Sequence, residues 1–233
     1  MKKIVFLALF SLATISFVFS QSDKVFRFGL MGTPNIAWIK PNSETHDYNG
    51  ISFRLGYGLT SEFLLGSNYS LSTGIESNYS GGKMTWENKM TDPEDAVVKN
   101  IDINATYRFQ YLEIPLALKM KTNEINYLTY FARFGGALGM RLNSKADYEY
   151  ELGGKKITDN DRKVDKDINF FRIAFVVGVG AEYSLGGTTS AFVSVNFNNG
   201  LTNIFRNKGD NLYDKNEKKG INNYFSLNAG ILF

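Results

Sequence analysis

The chain has 233 residues, with 26 Lys and Arg against 23 Asp and Glu, one His, no Cys and a formal charge of +3. The missing cysteine excludes disulfides, thiolate metal sites and a lipidated N-terminal cysteine, and so small a charge with no basic patch argues against a nucleic-acid partner. Aromatic residues make up 15% of the chain and Gly outnumbers Pro 22 to 4, a composition that suits β-structure with tight packing or sharp bends.

In chain order, MKKIVFLALFSLATISFVFSQ comes first. Lys2 and Lys3 precede an uncharged apolar run from Ile4 to Phe19, the layout of a secretory signal peptide cut near Ser20–Gln21. Residues 1–20 are expected to be removed, which leaves 21–233 and takes the charge from +3 to +1 by loss of Lys2 and Lys3. No later stretch reaches the ~18 consecutive apolar residues of a membrane helix.

Eight segments with period-2 patterning follow, near 24–38, 50–60, 67–79, 102–120, 127–142, 169–186, 190–200 and 222–233. In the fourth, Leu112, Ile114, Leu116 and Leu118 alternate with Glu113, Pro115, Ala117 and Lys119. In the fifth, Leu128, Tyr130, Ala132, Phe134, Leu138, Met140 and Leu142 oppose Thr129, Arg133, Gly135, Ala137, Gly139 and Arg141. The sixth sets Phe171, Ile173, Phe175, Val177 and Val179 against Arg172, Ala174, Gly178, Gly180 and Glu182, and the last puts Phe225, Leu227, Ala229, Ile231 and Phe233 on one parity. Such alternation predicts strands with one aliphatic face.

The connections alternate in length. TSEFLLGS, TNEIN and GGTTS are short, whereas 39–49, 80–101, 143–168 and 201–221 are long and polar. All short turns then lie at one end and all long loops at the other, the asymmetry of an outer-membrane barrel. The reading is an all-β, eight-stranded, antiparallel up-and-down transmembrane barrel in the outer membrane, with residues 21–233 as its one domain. Its aliphatic face meets lipid. Trp38, Tyr69, Tyr79, Tyr127 and Tyr183, near segment ends, suit interfacial girdles.

The other parity carries Arg27, Arg54, Glu76, Glu113, Lys119, Arg133, Arg141, Arg172 and Glu182 among small residues. In a narrow barrel these side chains fill the lumen, where charges need partners. Arg133, Arg141 and Arg172 are expected to pair with Glu113, Glu182 or Glu76. Two features break the pattern. Ile101, Ile103, Ala105, Tyr107 and Phe109 are odd-numbered while Leu112 to Leu118 are even, which predicts a β-bulge near Gln110 or a strand that starts later. Pro115 lies mid-strand, where its missing N–H removes a ladder bond.

YLEIPLALK at 111–119 resembles the YLEIP-type strand of PorT-like outer-membrane β-barrel proteins, common in Bacteroidota. The N-terminal signal, the Gly-rich first strand, GGALGMRL and the terminal Phe233 are also typical of them. The resemblance implies an eight-stranded barrel with no catalytic motif, and one namesake member is associated with a secretion apparatus. A terminal Phe on an outward strand resembles the signal read by the outer-membrane assembly machinery.

Few residues suggest chemistry. His46, the one histidine, has Ser43, Glu44 and Asp47 beside it, a conceivable Ser/His/acid grouping for a lipid A-modifying enzyme. Asp159, Asp161, Asp165 and Asp167 share a long loop, but Val164 stands where a calcium loop needs Gly, and basic residues interleave the acids. GVGAEY at 178–183 and GGK at 81–83 and 153–155 lack the rest of any phosphate-binding motif. The expected protein is a monomeric, non-enzymatic barrel without cofactor or metal, acting in envelope structure, surface interaction or a secretion complex. Its expected partners are outer-membrane lipid and lipopolysaccharide, the assembly machinery and an envelope protein. A His46-dependent lipid A enzyme and a soluble periplasmic ligand-binding barrel are the alternatives.

Overall fold

The computed structural model describes residues 26–92, 96–206 and 218–233. The signal-peptide expectation lies outside them. Ten strands are present: β1 (Phe26–Pro41), β2 (Asp47–Tyr48), β3 (Ser52–Leu64), β4 (Tyr69–Thr91), β5 (Val98–Lys121), β6 (Leu128–Leu152), β7 (Lys155–Lys163), β8 (Phe171–Gly186), β9 (Thr189–Gly200) and β10 (Gly220–Leu232). Eight of them form a ring. β1 pairs β3, β3 pairs β4, and the ladder continues through β5, β6, β8, β9 and β10 back to β1, every pair antiparallel. β2 and β7 are additions to β4 and β6 at the long-connection end.

The ring follows from the alternation. Leu30, Leu55, Leu59, Leu116, Phe134, Val179, Val195 and Leu227 are all exposed on the outer wall. An apolar surface of this extent is not left to water, and closure of the ladder satisfies the backbone in a solvent that cannot. Aromatic groups bracket the belt. Trp38, Phe197 and Phe225 cluster at one rim, with centroids 5.7 Å (Trp38–Phe225) and 4.8 Å (Phe197–Phe225) apart. Phe26 with Phe63, Phe28 with Phe233, and Tyr127 with Tyr183 mark the other.

Two expectations change. The segments 80–101 and 143–168 are largely strand rather than loop, because β4, β5 and β6 run on past the belt. TSEF at 60–63 likewise belongs to β3, not to a turn. The phase change at Gln110 has a different cause from the one expected. β5 keeps one pleat throughout, with Ile103, Tyr107, Phe109, Tyr111, Glu113 and Lys119 all buried on the inner side. What inverts is the environment. Within the belt the inside is polar and the outside is lipid; beyond it the inside is an apolar core and the outside is water. A bulge does sit at this level, but on β6: Gln110 pairs Asn143 while Tyr111 pairs Arg141, so Leu142 is the extra residue.

Pro115 now has a physical account. Its carbonyl turns toward β4, where the Thr73 hydroxyl donates to it at 2.7 Å. The β5–β6 ladder on its other side is unbroken at Pro115–Ala137. Proline cannot donate, and the β4–β5 ladder skips Ile114 and Pro115 opposite Gly74 and Ile75, so the hydroxyl bond satisfies the carbonyl at the gap.

Candidate functional site: the filled lumen and the apolar head

The inner wall is layered. Nearest the short turns, Lys119 is buried between Glu62 and Glu182, 2.5 Å from the latter, and its ammonium lies 3.9 Å from the centre of the Phe131 ring. Lys121 reaches the same two carboxylates at 2.6 and 3.0 Å, and Arg27 reaches Glu182 at 2.7 Å. Three cations thus share two carboxylates from β3 and β8. Buried charges persist where each has opposite neighbours and hydrogen bonds.

Above this layer, Arg133 Nε donates to Asn196 Oδ1 at 2.6 Å rather than to a carboxylate. Glu76 is buried on β4 and makes no ion pair with a described residue. Higher still, Arg172 pairs with Glu113 at 3.1 Å and donates to Asn198 Oδ1 at 2.5 Å and the Asn222 carbonyl at 2.9 Å. Glu113 also accepts from the Tyr224 hydroxyl at 2.7 Å and Asn78 Nδ2 at 3.2 Å. This network links β4, β5, β8, β9 and β10 across the lumen.

Of the expected pairings, the structure therefore brings together Arg172 and Glu113. Arg141 turns instead to Asp165, which also accepts from the Ser144 amide and hydroxyl at 2.9 and 2.7 Å. Arg54 lies outside the network and donates to its neighbour's carbonyl, Phe53 O, at 3.2 Å. Sequence reasoning left out Glu62, assigned to a turn, and Lys121, placed beyond a strand end. It also passed over Asn196 and Asn198, although both alternate with Val193, Val195 and Phe197, a readable signal for inward polar positions.

Beyond the belt the inside becomes a packed apolar head. Ile39, Met84, Trp86, Ile103, Tyr107, Phe109, Tyr148, Ile168 and Phe205 are buried together. Tyr107 meets Phe205 edge-on at 5.3 Å, and the Lys218 ammonium donates to the Tyr107 hydroxyl at 2.8 Å while lying 4.8 Å from the Trp86 ring centre. A Cβ at Gly82 would lie 2.4 Å from the Ile39 amide nitrogen, so glycine is what lets β4 close against β1 here.

His46 belongs to this head. It is buried, packs at a tilt against Trp86 with ring centroids 5.1 Å apart, and its Nδ1 is shared by the hydroxyls of Ser43 and Thr45 at 3.0 and 2.9 Å. Glu44 and Asp47 are exposed. Three of the four aspartates of the long loop are drawn to different partners: Asp159 to Arg162, Asp161 to Lys145 and Arg108, Asp165 to Arg141. Among the described residues no group of three or more His, Asp or Glu could hold a metal ion. GVGAEY lies within β8. Gly153 and Gly154, with φ of 60° and 70°, make the two-residue turn between β6 and β7.

Residues 19–206 match the family described as outer membrane protein beta-barrel domain. The chain belongs to that family. As an outer-membrane barrel, its short turns face the periplasm and its head faces outward. No curated protein matches it. Among solved structures it is similar to the outer membrane protein OprG from Pseudomonas aeruginosa, at 10% identity and TM-score 0.45, covering 89% of this chain and 95% of that one. Neisserial surface protein A gives 10% identity and TM-score 0.43, covering 91% and 98%. The outer membrane protease OmpT from Escherichia coli gives 11% and 0.38, covering 92% and 99%.

Proposed function

We propose that this outer-membrane barrel is a non-enzymatic interaction protein, in which the filled barrel is an anchor and the extracellular head presents a fixed surface to an envelope or external partner. The observation that supports this reading is the apolar core beneath the head. Long loops that merely linked strands would need no such core; here β4, β5, β6 and β7 are held as one sheet over Trp86, Tyr107, Tyr148 and Phe205. Its outer face shows Lys83, Glu87, Lys89, Asp102 and Asn104 to water. A rigid surface loses little entropy on binding, which favours recognition.

The likeness of YLEIP to PorT-like barrels adds an envelope protein as the partner class. The His46 alternative has less support, since the ring is buried in the head against Trp86 and the Glu44 and Asp47 beside it in sequence are exposed. The test trims the β6–β7 hairpin. Tyr148 and Asp159 are paired, so residues 149–158 can be replaced by an Asn-Gly turn with Tyr148 kept in the core. Cells carrying the trimmed barrel should lose the attachment that the full chain confers, while the unboiled protein still migrates as a folded barrel. Attachment unchanged in a folded variant would refute the reading.

A further inference from the structure

On the outer wall, immediately above the apolar belt, Arg54, Arg108 and Lys145 converge on a groove of about 490 Å³ floored by Leu55, Tyr57 and Tyr79. The groove exists because the β3–β4 ladder stops at Tyr57–Ser77, so the upper part of β3 stands away from β4. Gln110 marks the edge of the belt, its amide held by the Tyr79 hydroxyl at 2.9 Å and Ser77 Oγ at 3.2 Å. From there β5 runs down into lipid through Leu112, Ile114 and Leu116, and up to Arg108.

The charges do not cancel. Arg108 meets Asp147 at 2.5 Å and Asp161 at 3.1 Å, and Lys145 meets Asp161 at 3.0 Å. Among the described residues Arg54 has only a backbone carbonyl, and the Nε atoms of Arg54 and Arg108 are both buried with no hydrogen-bond partner there. Three cations stand against two carboxylates, with guanidinium N–H groups left over at the depth of lipid head groups. Tyr57 also lines a second, apolar groove of about 680 Å³ that continues down the lipid face past Leu59, Ile75 and Leu112.

A cationic pocket above an apolar channel suits an amphipathic ligand with an anionic head. We propose that Arg54, Arg108 and Lys145 bind the phosphate of an outer-leaflet lipid, with one acyl chain lying in the groove below Tyr57. Guanidinium groups match phosphate geometry and are weakly hydrated, and the site's boundary position selects a lipid over a free anion.

The test is native mass spectrometry and titration of the full mature barrel in non-ionic detergent, with dioleoyl phosphatidic acid as the probe. One phosphatidic acid should be retained, dioleoylglycerol should not, and inorganic phosphate should fail to displace it. Arg54→Gln, which strips no carboxylate of its partner, should weaken binding about tenfold, as expected for one charge-assisted hydrogen bond. Ile75→Trp, which fills the lower groove, should abolish the preference for dioleoyl over dihexanoyl chains and leave the head contact in place. Equal binding by Arg54→Gln, or displacement by inorganic phosphate, would overturn the proposal; the second outcome would leave a simple anion site.

Discussion

Arg172 is the largest fully buried side chain among the described residues, and it shows why a lumenal charge is held so closely. Its guanidinium is used by Glu113, Asn198 and Asn222, and it lies 5.4 Å from the centre of the Tyr224 ring. Replacing it by Leu leaves Glu113 buried with only the Tyr224 hydroxyl and the Asn78 amide. Removing one partner of a buried pair costs about 3–5 kcal/mol. Arg172→Leu should therefore lower the urea midpoint of the barrel in phospholipid vesicles by that order. Joint replacement by Arg172→Met and Glu113→Gln should recover much of the loss, because no uncompensated charge remains. A single variant as stable as the native chain would show that the pair contributes nothing.

At the scale of elements, β6 and β7 carry the head's outer edge, and β7 pairs with β6 alone among the described residues. Lysines and an arginine along KKITDNDRK blunt that edge. Asp161 ties the hairpin back to β5. A hydrogen bond from Lys145, then its charge and that of Arg108, hold the Asp161 carboxyl below the usual aspartate range. A depressed folded value gives stability that is complete above the ordinary value of about 3.9 and is lost as pH falls through the folded one. The chain has no cysteine, so a spin label on Thr158→Cys reports this hairpin uniquely. The label should gain mobility as pH drops below that ordinary value, and an added Asp161→Asn should make it mobile at every pH. A pH-independent signal in the Asp161 protein would remove the latch. The same hairpin shows how far the pattern was legible. Eight ring strands, their inward parity within the belt and the length alternation could be read, since period 2 survives in any strand with two unlike solvents. The head could not, because the rule that polar means inside reverses where lipid gives way to water. Ile103 and Tyr107 therefore looked out of phase, although β5 never changed its pleat. Of the candidate network, Arg172 and Glu113 lie on facing positions of one wall, whereas Arg141 found a loop carboxylate, Asp165, whose approach no strand period could reveal.

For the molecule as a whole, the layers stack in series along one axis, and permeation must pass every one. At the periplasmic mouth the Lys119, Lys121 and Arg27 cations are locked to Glu62 and Glu182; at mid-depth Arg172 bridges the walls; outermost, Tyr107, Phe205 and Trp86 close over one another. An eight-stranded barrel has an interior just wide enough for side chains to fill. An ion crossing here would have to break the paired charges and then enter an apolar core, and each barrier alone suffices. The full chain in a planar bilayer should show no steady conductance at either polarity. Opening one layer should change nothing: Lys119→Ala leaves the aromatic head intact, and Phe205→Ala leaves the charged mouth and Arg172 in place. Only a variant that combines Lys119→Ala, Arg172→Ala and Phe205→Ala should conduct. If Phe205→Ala alone produced stable channel openings, the charged layers would not be seals, and a transport role would displace the anchor reading.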